Sequence, residues 1–356
     1  MRVAVDVREL EGRPTGVGRV IQGLLGAWPV DELALISQRR IGLPPELVAR
    51  GRIEQVVVEK AASLPGALWE HLVLPGVVRD TNSDALLAPN YSMPIGARIP
   101  TAVCMHDCAP FALRDEFSAR EGFRRRWNAR HAARNASFLF MGTDFAATEA
   151  VRYLGCAPDA CLVAPWGLTS GFAEVPPGAV EDVKQQYGVD ANTILFVGSG
   201  FGRRDLPSLV RRVERVAAER PSATLAVAGR GHDRAAHSPF VTPLGFVPEI
   251  RLAALFSAAG LVVYPSAYEG FGLPVLEALA SGTRVIATDA TALSEVFAGR
   301  ATLVPHENDD AWVAAINAEL GRPAEAETVT WAHAQSWTPT AAAVRQRLLE
   351  AVEGNS

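Results

Sequence analysis

The chain has 356 residues, of which 49% are hydrophobic and 21% are charged. At roughly 150 residues per domain this length predicts two domains, and the composition excludes a disordered chain. The net charge of -5, from 34 Lys and Arg against 39 Asp and Glu, argues against a nucleic-acid-binding protein, because phosphate contacts usually require a basic excess.

Neither a membrane span nor a secretion signal is visible in the sequence. No stretch approaches the ~20 apolar residues that cross a bilayer, and the amino terminus, MRVAVDV, has a charge inside its only apolar run. The four cysteines, Cys104, Cys108, Cys156 and Cys161, are too few for a disulfide scaffold and lack the spacing of zinc ligands. We therefore expect a cytoplasmic protein.

Short β-branched runs alternate along the chain with longer stretches of helical periodicity, which is the pattern of parallel sheets covered by helices. In the first half, apolar residues between 17 and 28 recur at helical spacing. The runs predicted as strands there are residues 2–7, 53–58, 85–88, 101–104 and 138–141. These strands suffice for one open sheet.

Proline and glycine interrupt the alternation at residues 164–167 and 175–178, and we place the domain boundary there. Beyond it, the predicted strands are 193–197, 223–228, 261–264, 284–287 and 301–304, and the predicted helices are 206–220, 249–259 and 273–281. The sequence thus predicts an α/β fold of two doubly wound, Rossmann-like parallel-sheet domains that face each other across a ligand-binding cleft.

The segment at residues 264–277, YPSAYEGFGLPVLE, joins a predicted buried strand to a predicted helix. Pro274 suits the first helical position, where its missing amide hydrogen leaves nothing unpaired. Gly270 and Gly272 let backbone amides approach a ligand closely, so the helix start is a predicted anion site. Glu269 and Glu277 flank it, and carboxylates beside a phosphate are suited to accept hydrogen bonds from ligand hydroxyls.

Glu269 and Glu277 in EGFGLPVLE resemble the E-x7-E signature of retaining GT-B glycosyltransferases of the family 4 type. Other segments resemble the family in the same order: TGVGR at 15–19, WEHLVLP at 69–75, HDCAP at 106–110, FVGSGFGRRDL at 196–206 and VAGRG at 227–231. The second and third have counterparts in members that build bacterial polysaccharides. The resemblance implies an acceptor-binding domain at 1–167, a nucleotide-sugar-binding domain at 172–337, and a terminal helix at about 338–356 that packs on the first domain.

The resemblance also implies roles for individual residues. Glu269 would contact the transferred sugar, His106 would reach the hydroxymethyl group of that sugar, and Arg204 would neutralise the diphosphate, which makes these three the expected catalytic residues. Glu277 would hold the ribose. The implied donor-binding residues are Gly16, Gly18, Gly198, Ser199, Arg203, Arg204, Arg230, Gly270, Phe271, Gly272, Leu273 and Glu277.

The implied reaction moves a hexose from a nucleoside diphosphate to a glycan or lipid-linked acceptor in cell-surface polysaccharide synthesis, with retention of the anomeric configuration. GDP-mannose is the first expected donor, and UDP-glucose, UDP-GlcNAc or a deoxyhexose donor is the alternative. No cofactor and no metal are expected, since the chain has no D-x-D motif and the acidic run at 307–310 is typical of a helix cap. A helix dipole and arginines can stabilise the charge that a divalent ion neutralises elsewhere.

Three residues depart from the pattern of many family members. Ser199 stands where an Arg is common, Arg204 where a Lys is common, and Trp166 where an Asn is common. Two further hypotheses therefore stay open: a catalytically silent GT-B protein that binds a partner or a glycan, and an enzyme that epimerises or hydrolyses a sugar nucleotide. A nicotinamide enzyme is disfavoured, because neither glycine-rich loop has the third glycine of a dinucleotide fingerprint.

Residues 118–135 carry a basic and aromatic pattern. If they are helical, these side chains fall within about 80° of one another, with Phe123 adjacent: Arg120, Arg124, Trp127, His131 and Arg134. Such a face suits peripheral contact with anionic lipid or with a lipid-diphosphate acceptor at the inner membrane. The alternative is a solvated charged face whose apolar members enter the core.

Overall fold

The structure is a computed structural model that describes residues 1–12, 15–29, 31–43, 47, 52–61, 63–172, 174–229 and 238–355. The chain forms two compact units. The first comprises residues Met1–Gly167 together with Ser336–Ser356, and the second comprises Leu168–Gln335. The chain therefore leaves the first unit once and returns to it at its carboxyl end.

The described part of the first unit contains one parallel sheet of seven strands. In chain order these are β1 Arg2–Asp6, β2 Glu32–Ser37, β3 Ile53–Val57, β4 Ala85–Ala88, β5 Thr101–Cys104, β6 Phe138–Met141 and β7 Cys161–Val163. Their order across the sheet is β3-β2-β1-β4-β5-β6-β7. The strand order thus reverses direction between β1 and β4, which is where α/β sheets open a crevice at their carboxyl edge.

The described part of the second unit contains a parallel sheet of six strands. These are β8 Thr193–Val197, β9 Thr224–Ala228, β10 Val241–Gly245, β11 Leu261–Tyr264, β12 Val285–Thr288 and β13 Thr302–Val304. Their order is β10-β9-β8-β11-β12-β13. Here the direction reverses between β8 and β11, so the loops that follow these two strands flank the crevice.

The predicted α/β class with two parallel-sheet domains is confirmed, and most predicted strands lie within one residue of the observed ones. Three strands are missing from the prediction: β2, β7 and β10. The six residues of β2 form a nearly continuous buried run, and such a run does not show the alternation that marks a strand. Strand β7 has only three residues, and β10 contains Pro243 and is largely exposed at the edge of its sheet, where proline is tolerated.

Helices cover both sheets. In the first unit the α-helical segments are Gly16–Ala27, Gly66–Leu68, Leu74–Asp80, Ala109–Ala112, Ala119–Asn135, Asp144–Leu154 and Trp337–Glu353. In the second they are Ala179–Tyr187, Leu206–Glu219, Glu249–Ala258, Leu273–Ala280, Thr291–Phe297, Asp309–Glu319 and Ala326–Ala334. None of the helices in the described ranges is long and apolar enough to cross a bilayer. Each unit has its own core, centred on Trp69 and Val103 in the first and on Phe196 and Trp312 in the second.

The C-terminal helix, Trp337–Glu353, belongs to the first unit, and two glycines make room for it. A Cβ atom on Gly23 would lie 2.2 Å from the indole of Trp337, and one on Gly167 would lie 2.3 Å from the Trp337 backbone nitrogen. Arg345 also donates two hydrogen bonds to the buried carboxylate of Asp31, at 2.6 and 3.0 Å. The helix is therefore an integral part of the first unit.

We expect Gly23→Ala to destabilise the first unit, because the new methyl group would clash with the Trp337 ring and displace it. The free energy of unfolding should fall by about 1–3 kcal/mol, the usual cost of overpacking, and urea unfolding measures it. Gly26→Ala is the matched control in the same helix, since a Cβ there meets nothing within 4 Å. This control should gain about 0.5–1 kcal/mol from helix propensity, and equal effects of the two variants would contradict the packing argument.

Candidate functional site

The candidate site lies at the carboxyl edge of the second sheet, where β8 and β11 are neighbours. Loop 198–205 follows β8 and leads into helix Leu206–Glu219, and loop 265–272 follows β11 and leads into helix Leu273–Ala280. Because both strands run in the same direction, both loops emerge at the same edge. This edge, at the reversal of strand order, is the usual ligand position in open α/β sheets.

The turn into helix Leu273–Ala280 depends on a glycine. Gly272 has φ of +103°, a left-handed conformation that favours glycine, and a Cβ there would lie 2.6 Å from Leu293 and 3.0 Å from Phe297. The helix begins at Leu273, so Pro274 is its second residue and not its first. The physical reason for a proline holds at either position, because the amide hydrogens of the first turn have no intrahelical acceptor.

Glu269 is buried in this turn and held on several sides. Its Oε1 accepts hydrogen bonds from the Tyr264 hydroxyl at 2.9 Å and from the Ser266 hydroxyl at 2.8 Å. Its backbone amide donates to Thr291 Oγ1 at 3.2 Å, and Thr291 itself has a left-handed φ of 57°. Strand β11 and the turn therefore hold the carboxylate, and the start of helix Thr291–Phe297 holds the backbone of Glu269.

Arg204 reaches the same carboxylate from the other loop. Its Nε lies 3.5 Å from Glu269 Oε1, its Nη1 donates to Ser199 Oγ at 3.1 Å, and its guanidinium carbon lies 5.8 Å from the centre of the Tyr264 ring. The side chain also crosses Gly198, where a Cβ would lie 2.5 Å from Arg204 Nη1. Gly198 and Ser199 thus leave the space and supply the acceptor that position this cation.

A backbone contact joins the two loops directly, because the Ala267 amide donates to the Arg203 carbonyl at 2.8 Å. The Arg203 guanidinium stacks on the half-exposed ring of Phe201, with 5.2 Å to the ring centre. Two guanidinium groups and one buried carboxylate therefore occupy the edge of the sheet, next to the amino terminus of a helix. Such an arrangement can bind an anion through the arginines and hydroxyl groups through the carboxylate.

The electrostatics of the site keep Glu269 ionised. Burial by itself would raise the pKa of Glu269, but the charges of Arg204 and Arg203 and the hydrogen bonds from Ser266 and Tyr264 outweigh burial, so the pKa lies below its ordinary value of 4.5. Burial raises the pKa of Tyr264 well above its ordinary range. The phenol therefore stays protonated and donates to the carboxylate.

The other predicted residues of this segment are buried in the same turn and helix. Gly270, Phe271 and Leu273 are all buried, and the Phe271 ring packs edge-on against Phe297 with 6.3 Å between the ring centres. Glu277 lies in helix Leu273–Ala280 with 1% of its surface exposed. The roles of these residues toward a ligand stay predictions.

Three predicted residues belong to the first unit. Gly16 and Gly18 lie in the first turn of helix Gly16–Ala27, where Thr15 accepts a hydrogen bond from the Gly18 amide at 3.4 Å. His106 follows β5 and is buried, and its Nε2 donates to the Pro89 carbonyl at 2.8 Å. Burial lowers the pKa of His106, so the ring is neutral at pH 7. Arg230 lies outside the described residues, so its predicted place in the donor site has no structural counterpart here.

Trp166, which departs from the family pattern, has a structural explanation. Its ring packs against His106 with 5.2 Å between ring centres and against Trp337 with 6.3 Å. The aromatic series His106, Trp166 and Trp337 therefore links the end of β5, the segment before Gly167 and the C-terminal helix. An asparagine at this position would leave a gap between the histidine and the helix.

No group of three or more His, Cys, Asp or Glu side chains in the described ranges is arranged to hold a metal ion. Cys104 and Cys108 are buried. Cys156 and Cys161 are only half-buried, and their sulfur atoms lie 3.5 Å apart without a disulfide bond.

Comparison with known proteins assigns a family to most of the second unit. Residues 191–321, which contain both loops of the candidate site, match the family described as glycosyl transferases group 1. The chain carries a glycosyltransferase group 1 domain. The predicted resemblance to glycosyltransferases is therefore confirmed, and this domain contains Arg204, Glu269 and Glu277.

Relatives and solved structures resemble the chain outside this glycosyltransferase domain as well. The O-antigen chain mannosyltransferase B of Escherichia coli is 29% identical over 257 residues, which are 68% of this chain and 66% of that protein. For the first three curated relatives, the match covers 66%, 32% and 28% of their own length. The chain therefore spans between about a quarter and two thirds of the length of these three relatives.

Among solved structures, Anabaena HepE in complex with UDP-glucose has a TM-score of 0.66 at 18% identity, with 99% of this chain and 97% of that chain covered. WaaG, a glycosyltransferase involved in lipopolysaccharide biosynthesis, also has a TM-score of 0.66, at 17% identity, with 97% of this chain and 94% of that chain covered. At these identities the likeness concerns the fold, and the predicted GT-B class is confirmed.

Sequence reasoning missed three residues that hold the candidate site in place. Tyr264 and Ser266 lie inside the quoted segment, and their position directly after a buried strand was the available signal. Thr291 lies 22 residues beyond Glu269, and nothing in the sequence places it beside the Glu269 amide. All three are positioning residues, because each forms a hydrogen bond with Glu269.

We expect Glu269→Gln to lower the free energy of unfolding by about 1–3 kcal/mol at pH 7, because Arg204 loses its buried counter-charge. The lowered pKa of Glu269 means that the carboxylate stabilises the fold above its ordinary value of 4.5, and that this stabilisation is lost as the pH falls through the lowered pKa. The difference between wild type and variant should therefore be constant from pH 7 to about pH 5 and shrink below that.

Urea unfolding at a series of pH values measures this difference, and the exposed Glu174→Gln in the same unit serves as the control with no expected change. A difference that grows as the medium becomes more acidic would show that Glu269 is protonated in the folded chain.

Proposed function

We propose that the protein is a retaining glycosyltransferase that moves a hexose from a nucleoside diphosphate sugar to a glycan or lipid-linked acceptor, with GDP-mannose as the donor. The first unit would bind the acceptor and the second the sugar nucleotide. The observation that carries the proposal is the fixed contact between Arg204 and Glu269 beside the start of helix Leu273–Ala280. It supplies a cation for a diphosphate and a carboxylate for a sugar hydroxyl, 3.5 Å apart, from two neighbouring loops.

The proposed chemistry is the one that the family resemblance implies. The bond between the anomeric carbon and the diphosphate oxygen breaks while a bond forms from the acceptor oxygen on the same face of the sugar. The proton of the acceptor hydroxyl passes to the departing phosphate oxygen, so no protein nucleophile is needed. Arg204 and Arg203 would stabilise the negative charge that grows on the diphosphate, and the helix amino terminus would add its dipole. The proposal includes no metal and no cofactor.

Donor identity rests on relatedness. The Escherichia coli relative is a mannosyltransferase of O-antigen chains, which favours a mannosyl donor and cell-surface polysaccharide as the product. The HepE structure contains UDP-glucose, so UDP-glucose is the first alternative, followed by UDP-GlcNAc or a deoxyhexose nucleotide.

Thermal unfolding in the presence of GDP, UDP, TDP and ADP tests the donor base. One nucleotide should raise the melting temperature by several degrees, because a ligand that binds only the folded chain stabilises it. GDP is the expected one, and UDP would select the alternative donor. The absence of a shift with all four would favour the catalytically silent protein, and consumption of a sugar nucleotide without any acceptor would favour hydrolysis or epimerisation.

Substitutions at the phosphate loop give a second prediction. We expect Arg204→Ala to weaken binding of the stabilising nucleoside diphosphate roughly 10- to 100-fold, because a charge-assisted hydrogen bond to phosphate is lost. Ser199→Ala should weaken it less, since Ser199 only holds the arginine. Arg211→Ala is the matched control, because Arg211 is exposed and contacts Ser208 instead.

The nucleoside monophosphate separates a phosphate role from a general loss of structure. Arg204→Ala should reduce the affinity advantage of the diphosphate over the monophosphate, whereas Glu277→Ala should weaken both ligands equally because it removes a ribose contact. Calorimetry measures all four affinities. A larger loss at Ser199 than at Arg204 would contradict the loop assignment.

We also propose that helix Ala119–Asn135 contacts anionic lipid on the cytoplasmic side of a membrane. Exposed apolar side chains lie on this helix and on neighbouring segments, with exposed fractions of 68% for Phe123, 42% for Trp127 and 72% for Leu72. His71, beside Leu72, touches the Trp127 ring with 5.8 Å between ring centres, so the two helical segments form one surface. Exposed arginines on the same helix supply charges that complement anionic headgroups.

Sedimentation with vesicles tests this contact. The protein should bind vesicles of phosphatidylcholine with phosphatidylglycerol and not vesicles of phosphatidylcholine alone, and Leu72→Glu with Phe123→Glu should reduce the binding at least tenfold. Ile250→Glu is the matched control, because Ile250 is 79% exposed but lies in the second unit. Binding that is unaffected by the paired substitution would exclude this surface.

A further inference from the structure

The first unit contains a second polar site, in a cavity of about 780 Å³. Its lining includes Asp6 at the end of β1, Asn90 just after β4 and Asp107 just after β5. These strands are neighbours, and β1 and β4 are the pair between which the strand order reverses. The cavity thus occupies the position where an open α/β sheet binds a ligand, and its volume is within the range of small-molecule sites.

Glu70 has an unsatisfied carboxylate oxygen in this cavity. Its side chain is only 8% exposed, and it belongs to the WEHLVLP segment, next to the core residue Trp69. Glu70 Oε2 accepts from Arg8 at 3.3 Å, whereas Oε1 is buried without a hydrogen-bond partner within the described residues. Because burying an unpaired carboxylate oxygen is costly, this atom points to a donor that the described residues do not supply.

Arg8 does not cancel the charge of Glu70, because it is already matched by Asp6. The Arg8 guanidinium contacts the Asp6 carboxylate at 2.6 and 2.9 Å and lies over the Trp69 ring with 4.5 Å to its centre. Glu9 lines the same cavity and accepts from the Asn90 amide at 2.8 Å. Asp6 and Glu70 therefore supply two carboxylates against the one guanidinium of Arg8, so one negative charge is in excess. Glu9 is not included in this count.

Backbone geometry at two points of the lining is unusual. Glu70 lies in the π-helical turn Trp69–Val73, a feature that is frequent at functional sites. Tyr91, which also lines the cavity, has a left-handed φ of 58°. A non-glycine residue in this conformation costs of order 1–3 kcal/mol and persists where the surroundings require it. Both unusual backbone conformations therefore belong to residues that line the cavity.

Arginines also line the cavity. Arg120 and Arg124 lie one turn apart on helix Ala119–Asn135, and both line the cavity. Arg125 is matched by Glu121 at 2.9 Å, but neither Arg120 nor Arg124 forms an ion pair in the part of the chain that the structure describes. Two arginines at this spacing can bind one phosphate group between them.

We propose that this cavity binds a sugar whose anomeric oxygen carries a phosphate, with sugar hydroxyls donating to Glu70 and Glu9 and the phosphate contacting Arg120 and Arg124. The inference deepens the proposed function, because such a molecule would be the acceptor. The same chemistry has two sources, a free sugar 1-phosphate and a lipid-linked sugar diphosphate, and the experiment separates them.

Calorimetric titration of the full chain tests the ligand class. The probes are the 1-phosphates of mannose, glucose, galactose and N-acetylglucosamine, their methyl glycosides, and inorganic phosphate. One sugar 1-phosphate should bind at least tenfold more tightly than its methyl glycoside and than inorganic phosphate. The prenyl-diphosphate form of that sugar should bind more tightly still if the source is a lipid, and equally if the source is the free phosphate.

Two variants test the carboxylate and the arginines of the cavity separately. Glu70→Gln should weaken the sugar 1-phosphate about tenfold without changing the affinity for inorganic phosphate. Arg120→Gln combined with Arg124→Gln should weaken inorganic phosphate without changing the affinity for the methyl glycoside. Glu149→Gln is the matched control, since Glu149 is also a buried glutamate of the first unit but does not line the cavity.

Nucleoside diphosphate binding, measured in the same samples, separates this proposal from the proposed function. A chain that binds a nucleotide but none of the sugar phosphates or their prenyl forms would overturn the acceptor assignment, and so would an unchanged affinity in Glu70→Gln. A chain that binds a sugar phosphate but no nucleotide would leave the cavity assigned and would contradict glycosyl transfer.

Discussion

The contact between Arg204 and Glu269 is the interaction on which the candidate donor site depends. It joins the loop after β8 to the loop after β11, and these strands are neighbours where the strand order reverses. A buried carboxylate without a partner would be strongly destabilising, so the arginine is needed before the acid can stay ionised. The surrounding residues follow from this requirement, because Gly198 leaves the space that the arginine crosses and Ser199 accepts its hydrogen bond.

This contact also gives a structural role to Ser199, which stands where many members of the family have an arginine. A second cation at position 199 would occupy the place from which Ser199 holds Arg204. The remaining positive charge comes from Arg203, whose carbonyl is tied to the Ala267 amide. The proposed phosphate loop thus contains two adjacent arginines in one turn, and the planar guanidinium can make the paired hydrogen bonds to phosphate that a lysine cannot.

The two sheets use the same topological position for different chemistry. In the second unit, the reversal point carries arginines beside a helix amino terminus, which suits a diphosphate. In the first unit, the cavity at this position is lined by both carboxylates and arginines, which suits the proposed ligand with hydroxyl groups and a phosphate. The same backbone geometry therefore provides two sites whose specificity comes from the side chains that follow the strands.

The sequence by itself determined the fold class, the strands of both sheets apart from β2, β7 and β10, and the segment that carries Glu269 and Glu277. It did so because buried parallel strands are short β-branched runs, and because glycine and proline mark the turn before a helix. Local composition is sufficient for such features, since each depends on residues that are neighbours in the chain.

Only the tertiary structure decided which distant residues act together. Thr291 caps the amide of Glu269 from another helix, Trp166 is explained by Trp337 at the far end of the chain, and Glu70 meets Arg8 across 62 residues. These partners are set by the order of strands in the sheet and by the return of the C-terminal helix. Neither leaves a periodic signal in the sequence, because a contact between distant residues requires only that their side chains fit once the chain has folded.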